Sequence, residues 1–376
     1  MQTSFSNGEL LVEVRNQIAH LTLNRPQALN SLTHDMIQAL SKLFTAWAID
    51  DGVQAIIVRG AGDKAFCAGG DIRALYDTAR RHDGSLFEFF REEYELDFAI
   101  HRFLANTHKP YIAWIDGIVM GGGMGISQGA VLRIVGGRTR MAMPETSIGM
   151  FPDVGGSYFL SRCPGATGLY LGLTGQTLRA ADALYTGLAT HHIASESAFE
   201  FDYALDTLVD WHLGTLAAMR EIVQKFSSTP IEAATLPPRR DAIDRHFAGK
   251  ASVAAIVASL QGETDPHHRE WAQQTVATLA KKSPLMLEVT RRQLELAERM
   301  SLAECFRMEM NLVMATFEHK DVVEGIRALL IDKDQKPVWN PASLAEVKPE
   351  QINEFFRPRW DNASHPLAHM HIGATR

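Results

Sequence analysis

Two apolar runs in this chain end in glycine. Val53 to Val58 (VQAIIV) opens into Gly60-Ala61-Gly62-Asp63-Lys64-Ala65-Phe66-Cys67-Ala68-Gly69-Gly70-Asp71, and Tyr111 to Ile115 (YIAWI) is followed shortly by Gly121-Gly122-Gly123. Uncharged runs rich in β-branched and aromatic residues read as strands buried on both faces. Such strands need helices as cover. Glycine at a strand end lets the chain turn sharply and lets its backbone come close to a ligand. The helices are legible nearby. Thr33 is a cap for a helix running to about Ile49, with Met36, Ile37, Leu40, Leu43, Phe44 and Trp47 as its apolar stripe. A second helix spans about Phe87 to Phe103. Leu10 to Val14, Gln17 to Leu23 and Val131 to Val135 read as further strands, and Asn24-Arg25-Pro26 breaks the second of these. Strands alternating with helices predict an α/β fold whose loops cluster at one face of the sheet.

The texture changes after about residue 200, where helical patterns dominate. Two domains are expected, 1–200 as the α/β core and 201–376 as a helical region. Thr235-Leu236-Pro237-Pro238-Arg239-Arg240 reads as a linker or exposed turn. Ser283 to Phe317 holds two amphipathic helices with Ser301 as a cap between them. The tail carries His365, His369 and His371; their spacing suits a metal, but a solvated, mobile end is the expectation.

Charge and cysteine usage exclude several classes. A formal net charge of -7 speaks against a general nucleic-acid binder. The longest uncharged runs, Gly117 to Leu132 and Cys163 to Leu178, are too short and too glycine-rich to cross a membrane as helices. The start, MQTSFSNGELLVEV, lacks the basic-then-apolar pattern of a signal peptide. Cys67, Cys163 and Cys305 are scattered, which suggests a reducing compartment and no disulfide framework. A cytoplasmic location is expected, or an organelle matrix if a transit peptide has been removed.

Three segments carry candidate chemistry. In Gly69-Gly70-Asp71-Ile72, Asp71 is placed to cap a following helix and the Gly70 N–H to face a cleft; an ordinary turn is the alternative. In Met120-Gly121-Gly122-Gly123-Met124-Gly125 a glycine run between strand and helix exposes backbone N–H groups at the positive end of a helix dipole. No Gly-Lys-Ser/Thr follows, and Ile126 stands where the last glycine of a dinucleotide fingerprint would fall, so an oxyanion site fits better. The alternative is close helix packing. In MPETSIGMFPDVGG, residues 143–156, Glu145 and Asp153 stand in an apolar segment without Lys or Arg. Buried carboxylates are costly and acquire raised pKa values, which acid–base and nucleophilic catalysis exploit; helix capping after each proline is the competing reading. Gly125-Ile126-Ser127-Gln128-Gly129 also spells a nucleophile elbow, with Asp153 and His191 or His192 following in order. An elbow serine must sit at the turn itself, whereas Ser127 follows glycines that have already started a helix, so a serine hydrolase is not favoured.

FCAGGDI at 66–72, GIVMGGGMGIS at 117–127, MPETSIGMFPDVGG and NRPQALNSL at 24–32, in this order and spacing, resemble the crotonase (enoyl-CoA hydratase/isomerase) superfamily over roughly residues 8–200. FFREEYELD at 89–97, PETSIGMFPDVGG and EGIRALLIDKDQKPVW at 324–339 are similar to its 3-hydroxyisobutyryl-CoA hydrolase branch. Residues of about 200–285 match least.

The resemblance implies a crotonase-like β-β-α spiral core with helical C-terminal elements. It implies an acyl-CoA thioester held by an oxyanion hole of the Gly70 and Gly122 N–H groups. Hydratases of the superfamily use two glutamates; the first falls here on Gly125, which cannot titrate, and the second on Glu145. Asp153 supplies the second carboxylate at another place, as in the hydrolase branch. Glu145 is then nucleophile or general base, Asp153 the substrate-orienting carboxylate, and Glu93 a substrate contact, although a solvated helix face is open for Glu93 because Glu92 lies beside it. The nucleotide of CoA is expected along Arg25 to Ala28 and along Ala68, Asp71 and Ile72, with Lys333 or Lys336 at its phosphates. The resemblance implies no cofactor, since CoA is part of the substrate, and no metal. The expected partner is the acyl-CoA, with no nucleic acid or membrane; a homo-oligomer is open, because the superfamily often forms trimers and the extra C-terminal length here is able to cover that surface. The rivals are a hydratase or isomerase of the same fold and a non-catalytic acyl-CoA-binding protein.

Overall fold

The computed structural model describes residues 2–81 and 83–371 of the chain, so the last five residues of the expected 201–376 region lie outside it. The chain forms two compact units. The first comprises Met1–Asp71, Glu92–Met141 and Thr177–Thr235; the second comprises Ile72–Arg91, Ala142–Gln176 and Leu236–Arg376.

The first unit contains two sheets. Strands β1 (Thr3–Phe5), β2 (Leu10–Arg15), β3 (Ile18–Leu23), β4 (Ala55–Gly60), β5 (Ala65–Cys67), β6 (Tyr111–Ile115), β7 (Ile118–Met120), β8 (Leu132–Val135), β9 (Arg140–Ala142) and β10 (His191–His192) follow in chain order. The large sheet has the order β1-β2-β3-β4-β6-β8-β10 and the small one β5-β7-β9. Chain-adjacent strands β4/β5, β6/β7 and β8/β9 thus go one to each sheet. Each repeat is a strand, a short strand, then a helical or looped return, and the chain climbs as a β-β-α spiral. The hairpins β1/β2 and β2/β3 are antiparallel, and β3/β4, β4/β6, β6/β8 and β8/β10 are parallel.

Parallel strands with helices over them bury both faces, which is why Tyr111–Ile115 is apolar without alternation. Ile112 and Trp114 join Ile57, Ile134, Phe201, Met219 and Ile222 in one core, and Trp114 stacks on Phe201 with ring centroids 5.2 Å apart. The helices Ala198–Thr207 and Thr215–Phe226 supply that cover. On the other face Tyr111 meets Phe44 edge-on at 5.2 Å, and Phe44 meets Phe103 at 5.2 Å. Phe44 belongs to the helix His34–Ile49, whose buried residues are the six of the predicted stripe, and Thr33 Oγ1 accepts the Met36 N–H at its start.

The second unit is helical. Its longest helices include Pro284–Ala297 and Leu302–His319; Ser301 and Glu304 close a capping box at the start of the latter.

Three expectations need correction. The segment from Gly60 to Asp71 is not all loop, since Ala65–Cys67 pairs in parallel with Ile118–Met120. Three-residue strands carry no detectable period, so only the fold reveals them. Leu236 is no part of an exposed turn: its side chain is 2% exposed, one residue before the short 3-10 turn Pro237–Arg239. The histidine tail is not a solvated end as far as Met370. Leu367 and Met370 are buried, and His365 Nδ1 accepts the Leu367 N–H. Among the described residues no group of three or more His, Cys, Asp or Glu side chains is arranged to hold a metal ion. No described helix is long and apolar enough to cross a membrane.

Candidate active site

In the first unit the two glycine loops meet. Leu32 pairs with the Gly69–Asp71 strand edge: its N–H bonds Gly69 O at 2.8 Å, and its carbonyl accepts the Asp71 N–H at 2.8 Å. Alternation along an extended chain turns the intervening Gly70 N–H away from Leu32. It turns toward the start of the helix Gly122–Gln128, because a Cβ built on Gly122 would lie 3.3 Å from Gly70 N. The Gly122 amide is the first in that helix and has no partner within it. A Cβ on Gly69 would reach it at 3.4 Å. Gly69 has φ of 101° and Gly121 of 47°, so the approach of the two loops rests on conformations that side chains disfavour. The Gly70 and Gly122 amides thus lie close to one another.

Glu93 belongs to the same place. A Cβ on Gly122 would stand 2.6 Å from Glu93 Oε1, and Glu93 is 3% exposed. Glu92 is the outward member of the acidic pair: its carboxylate bonds His34 at 2.8 Å and Gln38 at 2.9 Å. The solvated-face reading of Glu93 is thus wrong.

Arg25 is engaged within the chain. Its guanidinium bonds Glu9 at 2.9 Å, Asp71 at 3.0 Å and the Ser31 carbonyl at 2.7 Å. It ties the loop of Pro26–Ala28 to the loop of Asp71. Ala28, Ala68 and Ile72 are partly exposed. Lys333 and Lys336 are exposed residues of the second unit. Ser127 is fully buried and donates to the Met124 carbonyl at 3.2 Å, so the elbow-like sequence presents no nucleophile.

In the second unit, Pro144 leads into the 3-10 turn Glu145–Ile148, which Gly149 ends at φ 71°. A Cβ at position 149 would strike the Asp321 carbonyl at 2.5 Å, which accounts for glycine there. Glu145 and Asp153 are 6% and 5% exposed. Glu145 Oε2 has no hydrogen-bond partner among the described residues. Burial raises the Glu145 pKa well above the usual carboxylate range; the Asp153 charge adds to this and the Lys282 ammonium opposes it. Lys282 is itself pulled down to about 8 by burial, with Glu145 acting the other way. Its Nζ donates to Ser147 Oγ.

Two charged residues here escaped sequence reasoning, Lys282 and Glu309. Glu309 is fully buried and accepts the Gly155 N–H at 2.8 Å, the Ser157 N–H at 3.0 Å and the Ser157 hydroxyl. Burial pushes its pKa up to about 8. A signal existed: Glu309 falls on the buried stripe of its helix with Leu302, Cys305, Phe306, Leu312, Val313 and Thr316. A carboxylate on an apolar stripe needs a partner.

Residues 18–356 match the model of the family described as enoyl-CoA hydratase/isomerase. The chain belongs to the enoyl-CoA hydratase/isomerase family. A family relative from Danio rerio, named 3-hydroxyisobutyryl-CoA hydrolase, mitochondrial, is 41% identical over 95% of this chain and 91% of its own. A relative from Arabidopsis thaliana, named probable 3-hydroxyisobutyryl-CoA hydrolase 3, is 37% identical over 95% of each chain. Among solved structures of similar fold, a carnitinyl-CoA dehydratase from Mycobacterium thermoresistibile superposes with a TM-score of 0.83 at 38% identity, covering 93% of this chain and 96% of that one. An enoyl-CoA hydratase from Rhodobacter sphaeroides 2.4.1 gives a TM-score of 0.81 at 32% identity, covering 93% and 98%. The family's β-β-α spiral is the architecture of the first unit's sheets.

Proposed function

We propose that the chain is an acyl-CoA thioester hydrolase whose substrate is 3-hydroxyisobutyryl-CoA, which it splits to 3-hydroxyisobutyrate and CoA in valine breakdown. The observation that carries this reading is the choice of carboxylates. At the position that the family resemblance assigns to the first hydratase glutamate stands Gly125, buried in the helix Gly122–Gln128. Glu145 and Asp153 instead share one short buried segment, and the Asp153 charge acts on Glu145. Water addition across a double bond needs an acid and a base at the hydratase positions, and one is missing. Thioester cleavage needs a carboxylate that attacks the carbonyl or activates water, and stabilisation of the oxyanion that results. The relatives named as 3-hydroxyisobutyryl-CoA hydrolases support the same substrate.

In this reading the Gly70 and Gly122 amides stabilise the developing oxyanion, at about 3–4 kcal/mol per donor in comparable sites. Glu145 acts on the thioester carbonyl, either directly through a mixed anhydride or as base for a water. Asp153 orients the 3-hydroxyl or assists proton transfer to the leaving thiolate. Glu93 contacts the substrate beside the two amides. The CoA nucleotide runs along Arg25 to Ala28 and Ala68 to Ile72. Arg25 contributes there by holding Asp71. The chain works where acyl-CoA is free, in the cytoplasm or an organelle matrix; the Danio rerio relative is named mitochondrial.

The names of the two superposing structures favour hydration as the second reading. A thiol-release assay over a small acyl-CoA panel, run beside crotonyl-CoA followed at the absorbance of its conjugated thioester, separates the two. Thiol release highest with 3-hydroxyisobutyryl-CoA and slow loss of crotonyl-CoA absorbance are expected. Rapid hydration without thiol release would replace the hydrolase reading.

A further inference from the structure

The turn after Asp153 has an unusual backbone. Val154 has φ of 52° and Gly155 of 84°, two consecutive residues in the left-handed region. Glycine adopts this freely, but a β-branched residue rarely does, and such a conformation persists only where its surroundings hold it. The turn is gripped on both sides of Asp153. On the near side, Gln293 Nε2 donates to the Pro152 carbonyl at 2.7 Å. On the far side the Gly156 N–H closes onto the Asp153 carbonyl at 2.6 Å, and Glu309 takes the N–H groups of Gly155 and Ser157, one on each carboxylate oxygen. The Ser157 hydroxyl adds a third bond. Phe306, one turn earlier on the Glu309 helix, lies under Gly155: a Cβ there would be 3.2 Å from its ring.

A neutral serine or asparagine suffices to cap one or two amides. Placing a carboxylate in a fully buried position to do so is expensive. The expense is understandable if the position of this turn matters for more than folding. A two-oxygen acceptor locks the two amides at a fixed separation, and so holds the Val154–Gly155 and Gly156–Ser157 peptide planes that follow Asp153.

We propose that Glu309 is a positioning residue for the reaction, which, through its bonds to Gly155 and Ser157, holds the Val154–Gly155 turn that aims the Asp153 carboxylate at the substrate. The proposal rests on the reading of Asp153 as the carboxylate that meets the 3-hydroxyl.

The test is a double-mutant cycle of Glu309→Gln and Asp153→Ala, read as kcat/KM for 3-hydroxyisobutyryl-CoA and isobutyryl-CoA, with a melting curve for each protein. Glutamine keeps the shape but presents only one oxygen, so one amide loses its acceptor. Glu309→Gln is expected to lower kcat/KM for the hydroxylated ester about tenfold, the scale of one displaced buried hydrogen bond, and to leave the plain ester within about threefold. In the Asp153→Ala background the same change should no longer alter the ratio of the two esters, because coupled residues are not additive. A merely structural role gives equal losses on both esters and effects that multiply in the double variant; that result overturns the proposal while the Asp153 reading stands. If Asp153→Ala alone leaves the ester ratio untouched, the Asp153 reading falls and the proposal with it. Should Glu309→Gln not fold, Ser157→Ala, which removes only the hydroxyl bond, replaces it, with the same pattern at smaller size expected and equal losses again overturning.

Discussion

Lys282 donates a hydrogen bond from its ammonium to the Ser147 hydroxyl, two residues beyond Glu145 on the same 3-10 turn. This fixes a buried cation beside a buried acid. Each moves the other: Glu145 opposes the burial that lowers Lys282, and Lys282 opposes the burial that raises Glu145. The charges of the turn are thus set by a residue far away in the sequence.

Removing that cation should move the acid limb of the rate. Glu145 works ionised in the proposed chemistry, and Lys282 favours its ionised form. Lys282→Met should therefore raise the Glu145 pKa further and shift the rising limb of the kcat/KM profile to higher pH. In the parent protein this support fades as Lys282 loses its proton near pH 8. A pH–rate series on both proteins is the check, and an unshifted limb would reject Lys282 as the counter-charge.

Glu145→Gln should retain binding of the CoA ester and lose turnover by a factor on the order of a thousand or more, since neither nucleophilic nor base catalysis survives without the carboxylate. Thiol release by the folded variant, beside calorimetric titration with a CoA ester, measures both properties. Near-parental hydrolysis would make Glu145 structural.

Asp153→Ala should narrow the preference for 3-hydroxyisobutyryl-CoA over isobutyryl-CoA by roughly 1–3 kcal/mol, the value of one hydrogen bond to a charged group. A site built for a hydroxyl leaves polar groups unpaired when a plain chain enters. If Asp153 only caps a turn, the ester ratio stays and the melting point drops by the equivalent of about 1 kcal/mol.

Glu309 gives a stability prediction with a definite sign. Its pKa is raised from 4.5 to about 8 in the folded chain. A raised group contributes stability that is fully present below the unfolded value, near 4.5, and is lost as pH climbs through about 8. Glu309→Gln cannot ionise. Its melting temperature should therefore fall less than that of the parent as pH rises from about 4.5 to about 8. Parallel falls of the two melting curves would show that Glu309 does not titrate in this window.

Much of this was legible in the sequence. The helix His34–Ile49 declared itself through a cap and a stripe, and Ser301 as a cap between two helices, because both signals are local; the structure adds Glu304 as the other half of a capping box. The glycine runs at the two strand ends stood out in the sequence, but an ordinary turn or close helix packing fitted them as well, and it was the family resemblance that singled out Gly70 and Gly122. The small sheet stayed hidden, since its three-residue strands exist only by pairing across Lys64 to Ile118 and beyond. Glu92 and Glu93 were indistinguishable as letters; about 100° of helix rotation turns Glu92 outward to His34 and Gln38 and Glu93 inward to Gly122. Lys282 was out of reach because it acts on a residue more than a hundred positions away; Glu309 was marked by its apolar stripe, but its partners Gly155 and Ser157 lie too far along the chain for the sequence to name them.

The contact at Gly122 has a consequence for how this protein can change. The φ of Gly122 is not in the left-handed region, so its backbone would tolerate a side chain; what forbids one is the Glu93 carboxylate 2.6 Å from where the Cβ would go. That obstacle is the far end of a flexible side chain. An alanine at 122 would displace Glu93 while leaving the helix intact. The two positions behave as one locus: a library that varies residue 122 alone is also, unseen, a library of Glu93 placements, and a gain found at one position can be kept only by fixing the other.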